Sequence, residues 1–216
     1  MFTTAWGKDN YQTVCDTCRE MKQLDPEHII CLVENEYGLG YLKGKGLQFP
    51  GDVVWIDYYA YPPTGNLAAT TDHVQTMAAM AANTRQPCWL CPLGGGYAFW
   101  ASREYTPAEQ EYSTYTALIH GTTGFLYFAS HPRSPSLWAK LKQLSQEVGA
   151  LTPALATGVP VPGVECSSSA VQYRALRLGD RLLLIAVNGS PGPAVARFNL
   201  GTLAAADQSA EVQFED

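Results

Sequence analysis

Short apolar runs alternate with amphipathic helical patterns through the first 150 residues of the chain. Nearly every residue in these runs is apolar, which is typical of strands buried on both faces of a parallel sheet. The helical patterns carry apolar residues three and four positions apart. This alternation predicts parallel β/α units. We expect strands at His28–Glu34, Asp52–Ile56, Pro87–Leu93 and Thr123–Ala129, and helices at Asn10–Leu24, Thr71–Asn83, Thr106–His120 and Pro135–Leu151.

Local signals place several boundaries of these elements. Asp25-Pro26 ends the first helix. Thr106-Pro107-Ala108-Glu109 predicts a helix start in which Thr106 is the N-cap and Glu109 closes a capping box. Residues 35–51 are rich in glycine, which predicts a loop between the first two strands.

The last 60 residues differ in character. Residues 157–169 are rich in Pro, Gly and Ser and predict a linker. Apolar or alternating runs then predict antiparallel hairpins at Ala170–Leu178, Arg181–Asn188 and Ala194–Leu200, with a further strand at Glu211–Phe214. The predicted fold is therefore α/β. We expect residues 1–155 to form half of a (β/α)8 TIM-like barrel with four parallel β/α units, and residues 156–216 to form a small antiparallel β-domain.

Composition narrows the classes of partner. The 216 residues are 46% apolar and 16% charged, which indicates a packed globular protein. A net charge of −6 and a pI near 5.2 argue against nucleic acid and anionic membranes as partners. No apolar stretch is long enough to cross a bilayer. The first ten residues lack a basic segment followed by an apolar one, so they predict no signal peptide: the protein is cytoplasmic, or its natural N-terminus lies upstream.

Six cysteines raise the question of a metal site. Two C-x-x-C pairs, Cys15/Cys18 and Cys88/Cys91, could in principle supply four thiolates to zinc. The first pair lies in a helical pattern and the second in an apolar strand, where cysteine packs as a small apolar residue. Neither pair has the Gly-rich turn of a zinc knuckle. We therefore predict no metal and no cofactor.

The segment DVVWIDYYAYP ends a predicted strand with an acid and a group of tyrosines. Asp57, Tyr58, Tyr59 and Tyr61 follow the apolar run at the end where function gathers in parallel α/β folds. Tyrosine rings stack on the C–H faces of sugars, and a carboxylate accepts hydroxyl protons or acts in acid/base chemistry. This arrangement predicts a carbohydrate site.

The order of these pieces resembles the second half of the TIM barrel in retaining glycoside hydrolases of the superfamily that includes the β-galactosidases. The resemblance rests on the helix ending in Asp25-Pro26, on DVVWIDYYAYP, and on PCWLCPLGGGYAFW followed by Arg103, TPAE and HGTTGFLYF. The tail, with RLLLIAVNGS and VQFE, resembles the β-sandwich that often follows such barrels. The resemblance covers roughly residues 10–216 as an order of pieces.

A second motif, Val33-Glu34-Asn35-Glu36-Tyr37-Gly38, resembles the VENEYG string of one β-galactosidase family. That resemblance implies that Glu36 is the general acid/base and that Asn35 contacts the sugar 2-hydroxyl. In an alternative register this strand is the fifth of the barrel. Glu36 is then a subsite residue, and the acid/base lies upstream of Met1.

The sequence departs from the family in two respects. A retaining enzyme needs a second carboxylate about 5 Å from the first. The family has a Glu at the end of the seventh strand, where this chain has Cys91-Pro92-Leu93-Gly94. The first four barrel strands are also absent. Three explanations follow: a fragment of a longer enzyme, two half-barrels paired as a homo-oligomer, or a degenerate binding module.

The remaining candidates follow the Gly94–Gly96 loop. Trp100, Arg103 and Glu104 are predicted to contact substrate, and Arg103 would alternatively pair with Glu104 or Asp57. We expect a glycoside hydrolase with Glu36 as acid/base and Asp57 as the second carboxylate. The rival hypothesis is a non-catalytic carbohydrate-binding or assembly module that kept the aromatic residues and lost the carboxylate pair.

Overall fold

The computed structural model describes residues 8–34, 36–57, 67–82, 84–95, 103–128, 131–201 and 211–214. At residues 8, 9, 36, 37, 57, 67–70, 73, 77 and 80 the description is confined to the backbone. The helices are α1 (Lys8–Leu24), α2 (Glu36–Lys45), α3 (Leu67–Ala82), α4 (Pro107–Ile119) and α5 (Pro135–Thr157). The strands are β1 (Cys31–Glu34), β2 (Val53–Asp57), β3 (Cys88–Cys91), β4 (Gly124–Phe125), β5 (Val159–Pro160), β6 (Glu165–Cys166), β7 (Val171–Leu178), β8 (Arg181–Asn188) and β9 (Phe198–Asn199).

The first four strands form one parallel sheet in the order β1-β2-β3-β4. This confirms the predicted parallel β/α units and the α/β class. Right-handed crossovers in a sheet whose strands follow chain order bring every connecting helix to the same face. The core has this arrangement, because Ile56 and Leu90 of the sheet pack with Leu39 of α2, Val74 of α3 and Ala117 of α4.

The N-terminal capping box of α4 is confirmed. The Thr106 side chain accepts a hydrogen bond from the Glu109 backbone N–H, and the Glu109 carboxylate accepts one from the Thr106 N–H. Pro107 takes the first helical position, where its missing N–H costs nothing.

The prediction of a loop at residues 35–51 was wrong for residues 36–45, which form α2. Its glycines lower intrinsic helix propensity, and they produced the error. Leu39 and Leu42, three positions apart, are both 2% exposed and pack in the core. Tertiary burial of this short apolar stripe stabilises a helix that propensity alone would not.

Smaller differences concern the ends of elements. Helix α5 runs six residues past the predicted Leu151, through Pro153, to Thr157. The fourth parallel strand is limited to Gly124–Phe125, with one further bridge from Leu93 to Phe128.

The C-terminal region forms separate antiparallel sheets, of order β5-β7-β8 and β6-β9. The predicted hairpin is confirmed as β7–β8. Two short strands, β5 and β6, lie in the predicted linker, and residues 211–214 are not in a strand. The β7–β8 hairpin packs on α4, and β7 also contacts α5. The division at residues 155/156 stays a prediction, as does the sandwich arrangement of the sheets.

Within the described residues, no helix is long and apolar enough to span a bilayer.

Candidate functional site at the carboxyl edge of the parallel sheet

The carboxyl ends of β1, β2 and β3 meet at one edge of the sheet. Glu34, the last residue of β1, pairs in register with Ile56, and Asp57, the last residue of β2, pairs with Cys91. Glu36 begins α2 two residues after β1 ends. The backbone therefore brings Glu36 and Asp57, two candidates 21 positions apart in sequence, to neighbouring strand ends.

Several predicted site residues lie outside the described residues. These are Asn35, Tyr58, Tyr59, Tyr61 and Trp100. Their predicted contacts with substrate stay predictions.

Glu34 is a buried carboxylic acid that sequence reasoning did not single out. It is 3% exposed and shares a lateral row with Ile56, Leu90 and Phe125, on the face that the helices cover. A carboxylate is rarely buried in such surroundings unless other groups stabilise it. The sequence CLVE could have predicted this burial, because Leu32 and Glu34 are two positions apart in a strand and therefore lie on the same face of the sheet.

The other face of the sheet carries a pair of tryptophans. Trp55 and Trp89 are in register, and the Trp89 indole crosses Gly124, where an added Cβ would lie 2.7 Å from its Cδ1 and Nε1 atoms. The Trp55 Nε1 atom is buried and has no hydrogen-bond partner among the described residues. Neither tryptophan is among the site residues predicted from the sequence. The parallel pairing places the two side by side on the face away from α2, α3 and α4.

Arg103 is held by the first turn of α4. Its two guanidinium nitrogens donate to the two carboxylate oxygens of Glu109 at 2.7 and 2.6 Å, and one also donates to the Glu104 backbone oxygen at 2.9 Å. The hydrogen bonds to Glu109 raise the pKa of Arg103. Burial alone would raise the pKa of Glu109, but the Arg103 ion pair and the Thr106 N–H lower it. Arg103 thus fixes the end of the loop between β3 and α4.

Glu104 anchors the start of α5. Its carboxylate accepts hydrogen bonds from the backbone N–H groups of Arg133 and Ser134, at 2.6 and 2.9 Å. Negative charge at the N-terminus of a helix is favourable, because unsatisfied N–H groups point outward there. Among the described contacts, Arg103 and Glu104 both hold loops at the carboxyl edge, and the Arg103 carboxylate partner is Glu109 rather than Glu104.

The cysteines are all free thiols. Burial raises the pKa of Cys31 to about 11 and that of Cys88 to about 12, and it also raises that of Cys18. A raised pKa keeps a thiol protonated, whereas metal binding and nucleophilic attack require the thiolate. Within the described ranges, no three His, Cys, Asp or Glu side chains lie close enough together to hold a metal ion.

The Cys88 thiol gives a prediction for alkaline pH. An unfolded thiol titrates near 9, and the folded one near 12. Between these values only the unfolded state loses the proton, so the free energy of unfolding should fall as the pH rises. Urea unfolding from pH 7 to pH values above 9 should show a steeper fall for the wild type than for Cys88→Ala. An equal fall in the free energy of unfolding with pH for the wild type and Cys88→Ala would contradict this prediction. Cys166 lies outside the parallel sheet, so Cys166→Ala is the control and should show the wild-type fall.

Comparison with known proteins does not assign the chain to a family. No protein-family model matches it, and no curated protein shows significant sequence similarity to it.

Proposed function

We propose that the chain is a glycoside hydrolase that cleaves a glycosidic bond of an oligo- or polysaccharide. Glu36 protonates the leaving oxygen as acid/base, and Asp57 acts as nucleophile or base. The observation that carries the proposal is that Asp57 ends β2 and Glu36 follows the neighbouring parallel strand β1, at the same edge of the sheet. Neighbouring strands lie about 4.8 Å apart. Carboxylates that start there are within reach of the separations used by glycosidases, from about 5 Å in retaining enzymes to about 9.5 Å in inverting ones.

The winding of the sheet supports a barrel. Doubly wound folds bind ligands where the strand order reverses, with helices on both faces. Here the four strands follow chain order, and α2, α3 and α4 share one face. We propose that residues 1–155 are half of a (β/α)8 barrel, completed either by further residues of a longer chain or by a second copy. The face that carries Trp55 and Trp89 would then line the barrel interior.

The proposed site draws on the remaining candidates in two ways. Asn35 contacts a sugar hydroxyl, and Tyr58, Tyr59, Tyr61 and Trp100 supply stacking surfaces. Arg103 and Glu104 hold the ends of the surrounding loops through Glu109 and the start of α5.

A second function is favoured by the end of β3. The resemblance places the catalytic nucleophile there, but the chain has Cys91 and Leu93, which are 2% and 0% exposed. A barrel that lost this carboxylate but kept its aromatic residues would bind carbohydrate without cleaving it. The alternative is therefore a carbohydrate-binding or assembly module.

A substrate panel distinguishes the two functions. The purified chain is incubated with aryl glycosides of the common hexoses and pentoses in both anomeric configurations, and binding to a glycan array is measured in parallel. Release of the phenol from one or more glycosides supports the hydrolase. Glycan binding without phenol release supports the binding module, and the absence of both contradicts a carbohydrate function. The solution mass shows whether two copies associate.

A further inference from the structure

A hydrogen-bonded group of side chains joins the β7–β8 hairpin to α3 and α4. The Gln172 amide nitrogen on β7 donates to Thr71 Oγ1 of α3 and to Tyr112 Oη of α4, both at 2.8 Å. The Thr71 and Tyr112 hydroxyls also bond to each other. One amide therefore holds two helices that belong to successive β/α units.

The other end of the same amide contacts the C-cap of α4. Because the Gln172 nitrogen uses both its hydrogens on the two hydroxyls, its oxygen is the acceptor for His120, and Nε2 of His120 donates at 2.8 Å. Gln172 thus uses both donors and its acceptor oxygen in the groove between α3 and α4.

Further contacts fix the hairpin in place. Arg174, two positions along β7 on the same face, donates to the Leu118 backbone oxygen at 3.1 Å. Leu176, next on this face, is fully buried. Directly after the end of β8, a Cβ added at Gly189 would lie 2.9 Å from Tyr112 Oη, so the backbone there approaches the tyrosine closely. The hairpin is therefore packed tightly against the helices and is not loosely attached to them.

The position of Thr71 connects this joint with the proposed site. Thr71 is the fifth residue of α3, and a helix that follows a parallel strand begins at the carboxyl edge of the sheet. The chain that leads into α3 comes directly from Asp57 and contains the predicted stacking tyrosines. Contacts that hold the first turns of α3 therefore also fix the position of residue 67, where the segment after Asp57 enters the helix.

We propose that Gln172 is a positioning residue for carbohydrate binding. It acts through Thr71 and Tyr112 to hold the start of α3, although it lies in the C-terminal sheet. This inference rests on the proposed function for its effect on substrate, but not for its effect on α3.

The test compares Gln172→Leu with Gln172→Glu. Leucine removes all the polar contacts. Glutamate keeps part of them: one of the two hydroxyls can turn to donate to the new carboxylate, the other keeps the bond between Thr71 and Tyr112, and His120 Nε2 still has an acceptor. We expect Gln172→Leu to speed amide hydrogen exchange in residues 67–75 roughly tenfold or more, since losing two or three hydrogen bonds lowers the local opening energy. With a substrate from the panel, KM should rise by a similar factor while kcat changes less, and Gln172→Glu should restore exchange and KM in part.

Control variants keep the result interpretable. Gln12→Leu, on the exposed surface of α1, should leave exchange and KM unchanged. If Gln172→Leu does not fold, Thr71→Val removes one arm of the joint and should show the same changes at smaller size. Unchanged exchange in residues 67–75 overturns the proposal, and faster exchange with unchanged KM overturns its functional part while leaving the hydrolase intact. If the wild-type chain cleaves no glycoside, the hydrolase proposal fails, and hydrogen exchange still decides whether Gln172 holds α3.

Discussion

Replacing Glu36 or Asp57 by its amide should lower glycosidase activity by about 10²- to 10⁴-fold, the range that a positioned acid or base contributes. The amides keep the size of the side chains and remove the proton chemistry. Glu36→Gln cannot protonate the leaving oxygen, so its loss should be largest for poor leaving groups and smaller for activated aryl glycosides. Asp57→Asn should lose activity on both kinds of substrate, because the second carboxylate is needed whatever group leaves. Measuring kcat/KM over a series of leaving-group acidities tests both assignments.

Glu20→Gln is the matched control for these variants. Glu20 is exposed on α1, and its replacement should leave kcat/KM unchanged. Full activity in both Glu36→Gln and Asp57→Asn, with unchanged melting temperatures, would rule out this carboxylate pair. Loss in Asp57→Asn alone, for every leaving group, would favour the register in which the acid/base lies upstream of this chain.

Gly95→Ala should destabilise the fold by about 3 kcal/mol or more, because two separate penalties act at this position. Gly95 has φ +113°, a conformation that residues with a Cβ rarely adopt. A Cβ there would also lie 2.5 Å from Cα and Cβ of Pro132, which leads into α5. Urea unfolding of the wild type and variant gives the difference in free energy directly.

Substitutions at two other glycines distinguish the cost of the positive φ angle from the cost of the close contact with Pro132. Gly121 has φ +95° but open space around it, so Gly121→Ala should show only the conformational cost of about 1–3 kcal/mol. Gly149 lies within α5, also in open space, so Gly149→Ala should stabilise the protein by about 0.5–1 kcal/mol through helix propensity. If Gly95→Ala cost no more than Gly121→Ala, the close contact with Pro132 would not contribute.

The parallel sheet could be predicted because its strands are short, apolar and separated by helices with clear ends. The capping box at Thr106 and Glu109 could also be predicted from the sequence, since both of its hydrogen bonds join residues three positions apart. Helix α2 was missed because its stability comes from burying Leu39 and Leu42 in the core, and a propensity scale does not contain that contribution.

The candidate site was only partly accessible to sequence reasoning. Strand ends in a parallel sheet must share an edge, so the proximity of Glu36 and Asp57 could be expected. The pairing of Arg103 with Glu109, and of Glu104 with the start of α5, depends on how loops return to the sheet. The Gln172 joint links residues 60 and 101 positions apart. Such contacts follow from packing between layers, and neither periodicity nor spacing predicts them.

The proposed hydrolase binds a saccharide at the carboxyl edge of the parallel sheet and cleaves its glycosidic bond there. A crystal structure of the Glu36→Gln variant with a substrate that the wild type cleaves tests this placement. We expect a saccharide at the ends of β1 and β2, with its glycosidic oxygen about 3 Å from the residue 36 side chain and its anomeric carbon facing Asp57. A saccharide bound instead at the amino edge of the sheet or on the β7–β8 hairpin would rule out the proposed site.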